Sequence, residues 1–227
     1  AMYQEQRKIS MSYMDTIRRY LSSFFAWISD EGYISRNPMR RLKKIKVPRM
    51  IKKPFSQAEM EHLRCNAGCQ RDIAIMAFLY STAARIGEVV RLNRKDIDWG
   101  NKEVIIYGEK GKKERRVYLT DDCAYHLQKY LSTREDNNPA LFVSNKHPHT
   151  RLGKQAIQSM LRTLGNKTEI HAHPHKFRRT LLTDAGNRGI PLQEIQMYAG
   201  HQKPDTTMMY VTVSEENVKA SFRRYIS

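Results

Sequence analysis

The chain has 227 residues, room for one good-sized domain and a smaller appendage, and its 40% hydrophobic and 28% charged content is ordinary for a globular protein. Against 23 acidic residues stand 40 lysines and arginines, and a net charge of +17 cannot be paired internally, so the chain sets up a field that attracts polyanions. No run approaches the roughly 18 apolar residues of a membrane span, and no signal-peptide pattern opens the chain, which argues against a membrane protein and points to nucleic acid as partner.

Cys65, Cys69 and Cys123 fit neither a zinc nor a disulfide framework and read as free thiols of a reducing cytosol, so a cytoplasmic location is expected. Ala1-Met2 reads as an expression scar before a start codon, and the chain as a fragment.

In chain order, Met14, Ile17, Leu21, Phe24 and Ile28 recur at helical spacing over residues 11–29, with Arg18 and Arg19 on the other side. Gly32 and Pro38 close that region. A basic stretch with Arg40, Arg41, Lys43, Lys44 and Lys46 follows, then Val47-Pro48 and Lys52-Lys53-Pro54. By composition this is a linker, either a solvated tether or a strap along phosphates. The roughly 45 residues ahead of it are too few for a core of their own. The expected organisation is therefore a partial, N-terminally truncated helical domain over 1–46, a basic linker over 47–55 and a main domain over 56–227.

In the main domain, Ser56-Gln-Ala-Glu59 is a capping box that opens a helix. Helices are predicted near 70–82 and 86–92, then strands at Glu103–Tyr107 and Arg115–Leu119. The loop between those strands carries Lys110, Lys112 and Lys113. Later helices fit 121–132, 152–164, 174–188, 191–199 and 214–225, with Leu141-Phe-Val143 as a small extra strand. The fold class is mostly α (α+β), helices around a small antiparallel hairpin.

Three places carry chemistry. In His171-Ala-His-Pro-His-Lys-Phe-Arg-Arg-Thr180, Pro174 suits the first position of a helix and puts His175 and Arg178 three apart on one face. A helix N-terminus attracts phosphate, and a His and an Arg there add a proton-transfer group to an anion site. The same segment stays open to a surface histidine cluster or a zinc site, although the alternation of His171, His173 and His175 suits a strand better than a helix. Gly200-His201 is followed nine residues on by Tyr210, which beside Met208, Met209 and Val211 would by itself read as core. Arg85 stands at a helix start with Glu88 three residues later, alone an ordinary ion pair.

Taken in order, Arg85, the hairpin lysine, His175-x-x-Arg178, Gly200-His201 and Tyr210 resemble the tyrosine recombinase (phage integrase) family. The A-A-R-I-G-E segment with Val89-Val-Arg-Leu92 and Asp96-Ile-Asp98 is similar to its first motif, and E-K-G-K-K-E-R to its hairpin motif. The H-K-F-R-R-T run, the Gly-His pair and the final tyrosine complete a likeness that runs from about residue 12 to the end. The resemblance implies a mostly helical catalytic domain with a small sheet, preceded by a core-binding domain of which only the last helices are present, the two closing as a clamp around duplex DNA.

For the chemistry, it implies that Tyr210 attacks phosphorus and forms a 3′-phosphotyrosine. Arg85 and Arg178 would clamp the non-bridging oxygens, His201 would donate a further hydrogen bond, and His175 would accept the tyrosine proton. Lys110 would protonate the leaving 5′-oxygen, with Lys112 and Lys113 as neighbours on the same loop, and Glu88 would position the first-motif segment. DNA contacts are expected from Arg40, Arg41, Lys43, Lys44, Lys112, Lys113 and Arg179. Neither a P-loop nor a trio of carboxylates for two metals is evident, so no metal and no other cofactor are expected. The expected partners are a double-stranded recombination site, further protomers forming a tetramer on DNA, and accessory DNA-bending or directionality proteins. In the segment 214–225, Val218, Phe222 and Tyr225 make an apolar stripe, either packed on its own domain or exchanged with a neighbouring protomer. The setting implied is a bacterium, phage or mobile element. A type IB topoisomerase, a catalytically silent DNA-binding protein and a metal-dependent nuclease are the alternatives.

Overall fold

The computed structural model describes residues 9–47, 53–108, 114–200 and 223. The chain forms two compact units, Ala1–Lys52 and Lys53–Ser227. In the first, α1 (Met11–Asp30) starts where the Ser10 hydroxyl accepts a hydrogen bond from the Tyr13 N–H at 3.3 Å. No glycine or proline interrupts its 20 residues. The expected apolar stripe is helical, yet no residue of α1 is buried, and Leu21, Phe24 and Trp27 are exposed. A 3-10 turn at Pro38–Arg41 follows, capped by the Asn37 side chain.

The second unit begins with α2 (Gln57–Cys65), where the Ser56 hydroxyl accepts from the Glu59 N–H and the Glu59 carboxylate from the Ser56 N–H. The capping box read from the sequence is present. α3 (Gln70–Thr82) is the central element, with Ile75, Phe78 and Leu79 fully buried and each burial worth about 1.5–3 kcal/mol. It packs chiefly on α5 (Asp121–Ser132) and α7 (Pro174–Asn187), through a core that includes Leu127 and Phe177. The short α4 (Ile86–Val89) stops earlier than the expected 86–92, and the chain turns instead through Arg91 N–H to Glu88 O and Leu92 N–H to Val89 O.

The sheet has three antiparallel strands, β1 (Ile97–Asp98), β2 (Glu103–Tyr107) and β3 (Glu114–Tyr118), in the order β1-β2-β3. Val104 pairs with Val117 and Ile106 with Arg115, so the buried face of the hairpin carries Val104, Ile106 and Val117. The extra strand expected at Leu141–Val143 does not form. Its neighbours are short loop segments, so it makes only isolated bridges, with the Leu141 N–H on Leu92 O and the Leu152 N–H on Phe142 O. α6 (Lys154–Thr168) runs four residues past its expected end, tolerating Gly165 where a side chain would collide with the Ile170 carbonyl. α8 (Leu192–Ala199) is the last helix whose bounds lie among the described residues; the helix expected at 214–225 lies outside them, residue 223 apart. Among the described residues, no helix is long and apolar enough to cross a membrane.

Candidate active site

α8 is seated by a small apolar cluster in which Ile195 and Ala199 meet Leu182 of α7 and Ala83. Tyr198 adds a polar tie, its hydroxyl donating to Ser81 O at 2.8 Å and accepting from the Tyr118 N–H of β3 at 3.3 Å. Burial pushes the Tyr198 hydroxyl up to about 12, so it stays a neutral donor. The position of the C-terminus of α8 is thus fixed from two sides. There Gly200 turns left-handed, with φ of 64°, and its N–H closes on Met197 O at 3.0 Å.

The last carbonyls of a helix lack intrahelical partners and carry about half a negative charge. Here three successive carbonyls are each met by a different arginine. Arg115 Nε donates to Tyr198 O at 3.1 Å, Arg178 Nη2 to Ala199 O at 2.6 Å, and Arg85 Nη2 to Gly200 O at 3.3 Å. Each arginine arrives on its own element. Arg85 is the N-cap of α4, reached by a left-handed turn at Ala83 with φ of 48° that ends α3. Arg178 belongs to α7, is 3% exposed, and also donates through Nη1 to Ala83 O. Arg115 sits on β3 in phase with the buried Val117.

Glu88 binds two of these arginines together. Its side chain is wholly buried. Oε2 accepts from the Arg85 N–H at 2.7 Å and Arg115 Nη2 at 2.7 Å, while Oε1 accepts from Arg115 Nη1 at 2.9 Å and Arg85 Nη1 at 3.3 Å. Burial alone would raise the carboxyl, but the Arg115 guanidinium, then Arg85, outweigh it and hold Glu88 below its ordinary value. Three guanidiniums, one carboxylate and the helix end leave about one and a half positive charges around Gly200, counted over the described residues. Such a place suits an anion.

Among the expected site residues, Arg85, Glu88 and Arg178 therefore come together. His175 lies in the first turn of α7, exposed, with Pro174 at the first helical position. It lines an open groove of about 1080 Å³ with Ile86, the residue after Arg85, and with Gln158 and Arg162 of α6. His171 and His173 hold their rings 5.2 Å apart, but among the described residues no three His, Cys, Asp or Glu side chains are grouped to hold a metal ion. Arg179 is partly buried on α7, and Arg40, Arg41, Lys43 and Lys44 are exposed in the first unit. Lys110, Lys112, Lys113, His201 and Tyr210 lie outside the described residues. Sequence reading gave Arg115 no role, although it closes the E-K-G-K-K-E-R motif and opens a strand. Its signal was its phase: it shares the inward face with Val117, where a charge needs a partner.

The chain is similar to known proteins in both sequence and fold. The phage integrase family model matches residues 35–217. Tyrosine recombinase XerA of Pyrococcus horikoshii is 26% identical over 216 residues, 95% of this chain and 74% of that protein. Tyrosine recombinase XerC of Chlamydia caviae is 32% identical over 214 residues, 88% of this chain and 68% of that protein. The crystal structure of a XerA recombinase matches 97% of this chain and 84% of its own, at 25% identity and a TM-score of 0.67. The Tn1549 transposon integrase in complex with a circular intermediate DNA shares the fold with a TM-score of 0.79 at 19% identity, over 98% of this chain and 82% of its own.

Proposed function

The chain belongs to the phage integrase family and is a tyrosine recombinase, and from that premise we propose that it cuts and rejoins duplex DNA at a specific site, with Tyr210 as nucleophile. The observation that carries this reading is the excess of positive charge gathered by Arg85, Arg115 and Arg178 around Gly200, one residue ahead of His201. A phosphodiester is an anion whose transition state gathers further charge on its non-bridging oxygens, and guanidiniums held in place beforehand stabilise that charge without reorganising. Arg85 offers the accessible edge, its side chain being 36% exposed.

In this mechanism the Tyr210 oxygen bonds to phosphorus as the bond to the 5′-oxygen breaks, leaving a 3′-phosphotyrosine. His175 takes the phenol proton, whose ordinary pKa of about 10 calls for an acceptor. Lys110 returns a proton to the 5′-oxygen, and His201 adds a hydrogen bond to the phosphate. The ester conserves the energy of the broken bond, so rejoining is the same step run backwards and needs neither nucleotide nor metal. The exposed Arg40, Arg41, Lys43 and Lys44 would hold the DNA backbone as part of a partial core-binding domain. Further copies of the chain would assemble on the paired sites as a tetramer, with accessory proteins setting direction.

The test uses nicked suicide duplexes, selected first for binding from a random pool, in EDTA. A covalent protein–DNA band on a denaturing gel is expected for the wild type and none for Tyr210→Phe. A band that persists in Tyr210→Phe, or that requires added metal, refutes the mechanism. Strand exchange between two sites, rather than relaxation of one circle, separates recombination from topoisomerase action.

A further inference from the structure

Arg115 adds to the positive charge of the site but is given no step in the chemistry above, although its side chain reaches both Glu88 and the end of α8. All three of its guanidinium nitrogens are committed: Nη1 and Nη2 to the two oxygens of Glu88, and Nε to the Tyr198 carbonyl. At 10% side-chain exposure it has little edge to offer a substrate. Its bonds to Glu88, at 2.7 and 2.9 Å, are shorter than the 3.3 Å contact from Arg85 to the same carboxylate. Gly200 is fitted against it, since a Cβ there would stand 3.1 Å from Arg115 Cδ and 3.2 Å from Nη1.

We propose that Arg115 is a positioning residue for strand cleavage: it satisfies the Glu88 carboxylate, which leaves the Arg85 guanidinium available to the scissile phosphate, and it holds the end of α8 that leads into His201. Without it, the buried carboxylate would have Arg85 as its only described cationic partner and would draw that guanidinium inward, away from the phosphate. Lysine cannot replace it. A single ammonium cannot serve two carboxylate oxygens and a carbonyl in one plane. Because Arg115 is on β3, the same bonds join the strand that follows the lysine-bearing loop to Arg85 and to α8.

This inference rests on the cleavage chemistry proposed for Tyr210. The experiment follows single-turnover formation of the covalent complex on the selected suicide duplex, recording rate constant and final yield against DNA concentration. At saturating DNA, Arg115→Ala is expected to react about 100-fold more slowly, as for a site displaced by an ångström. Arg115→Lys is expected to lose about 10-fold. Yield and half-saturating DNA concentration should stay within about threefold of wild type. Millimolar guanidinium ion should restore at least a tenth of the wild-type rate to Arg115→Ala, and methylammonium should not.

Wild-type rates in both variants overturn the proposal. So does a fall in yield at an unchanged rate constant, which marks a merely structural role, or a failure of guanidinium to rescue. Arg115→Lys keeps the charge and most of the stem, and it decides the matter if the alanine variant does not fold. Absence of covalent product from the wild type would instead count against the Tyr210 reading itself.

Discussion

Among the described residues of the second unit, two clusters pair a carboxylate with two arginines, and they are built for different ends. In one, Asp136 lies between Arg134 and Arg94. Arg134 donates to both Asp136 oxygens and to the carbonyls of Asn138, Ala140 and Leu141, all within seven residues, and is 3% exposed. Arg94 reaches the same carboxylate at 3.2 Å and the Asp136 carbonyl at 2.7 Å. In the other, Glu88 lies between Arg115 and Arg85, and the carbonyl that Arg85 meets is 115 residues away. The first closes the 134–141 loop on itself and ties it to Arg94. The second joins α4, β3 and the end of α8. Each leaves one arginine partly exposed, Arg94 at 34% and Arg85 at 36%, so the two differ in what they join: a loop in one, and three elements of the candidate site in the other.

The sharpest way to break this comparison is Glu88→Ala. It strands two cations in a buried site, and a loss of about 3–5 kcal/mol is expected from urea unfolding, together with loss of covalent complex formation. Asp136→Asn should cost about 1–3 kcal/mol and leave the cleavage rate within about twofold of wild type. A large cleavage defect there would erase the distinction between the clusters.

Acid sharpens the comparison. The Arg134 hydrogen bonds hold the Asp136 carboxyl well below the usual carboxylate range, and Glu88 is also lowered. A lowered folded-state pKa means that this stability is fully present above the unfolded value of about 4 and is lost as pH falls through the folded value. Urea midpoints should therefore drop from about pH 4 downward, with a shallower slope in Asp136→Asn. An unchanged slope would show that Asp136 is not the titrating group.

Gly200→Ala forces a side chain into a left-handed residue and against Arg115, so about 1–2 kcal/mol should be lost in thermal unfolding, with cleavage slowed beyond what that loss explains. The smallest effect belongs to Arg116→Ala. Arg116 is an exposed neighbour of Arg115 whose 3.2 Å pair with Glu103 should be worth less than about 1 kcal/mol, with no change in cleavage.

Much of the fold was legible because it is written in local signals. Ser56 and Glu59 mark a helix start, Pro174 marks another, and the β-branched and aromatic run Val104, Ile105, Ile106 and Tyr107 marks a strand. β1 was not legible, since two residues show no period. Nor did Leu141–Val143 betray that its neighbours are loops. The apolar stripe of α1 was visible, but a stripe says nothing of what would cover it, and no residue of α1 is buried. At the site, Arg85, Glu88, His175 and Arg178 could be named from motif and spacing, whereas Arg115, though it ends the hairpin motif, meets partners 27 and 83 residues away that no local pattern records.

One anchor at the start of the second unit bears on how load passes through the molecule. The Phe55 N–H donates to the Thr180 hydroxyl at 2.9 Å, the Phe55 ring meets Phe177 at 4.8 Å, and Lys176 Nζ lies 4.1 Å from that ring's centre. All three partners are on α7, the helix of His175 and Arg178. Tension along the backbone ahead of Phe55 is therefore borne by that helix, and the chain is moored on the element that presents two of the residues assigned to the chemistry.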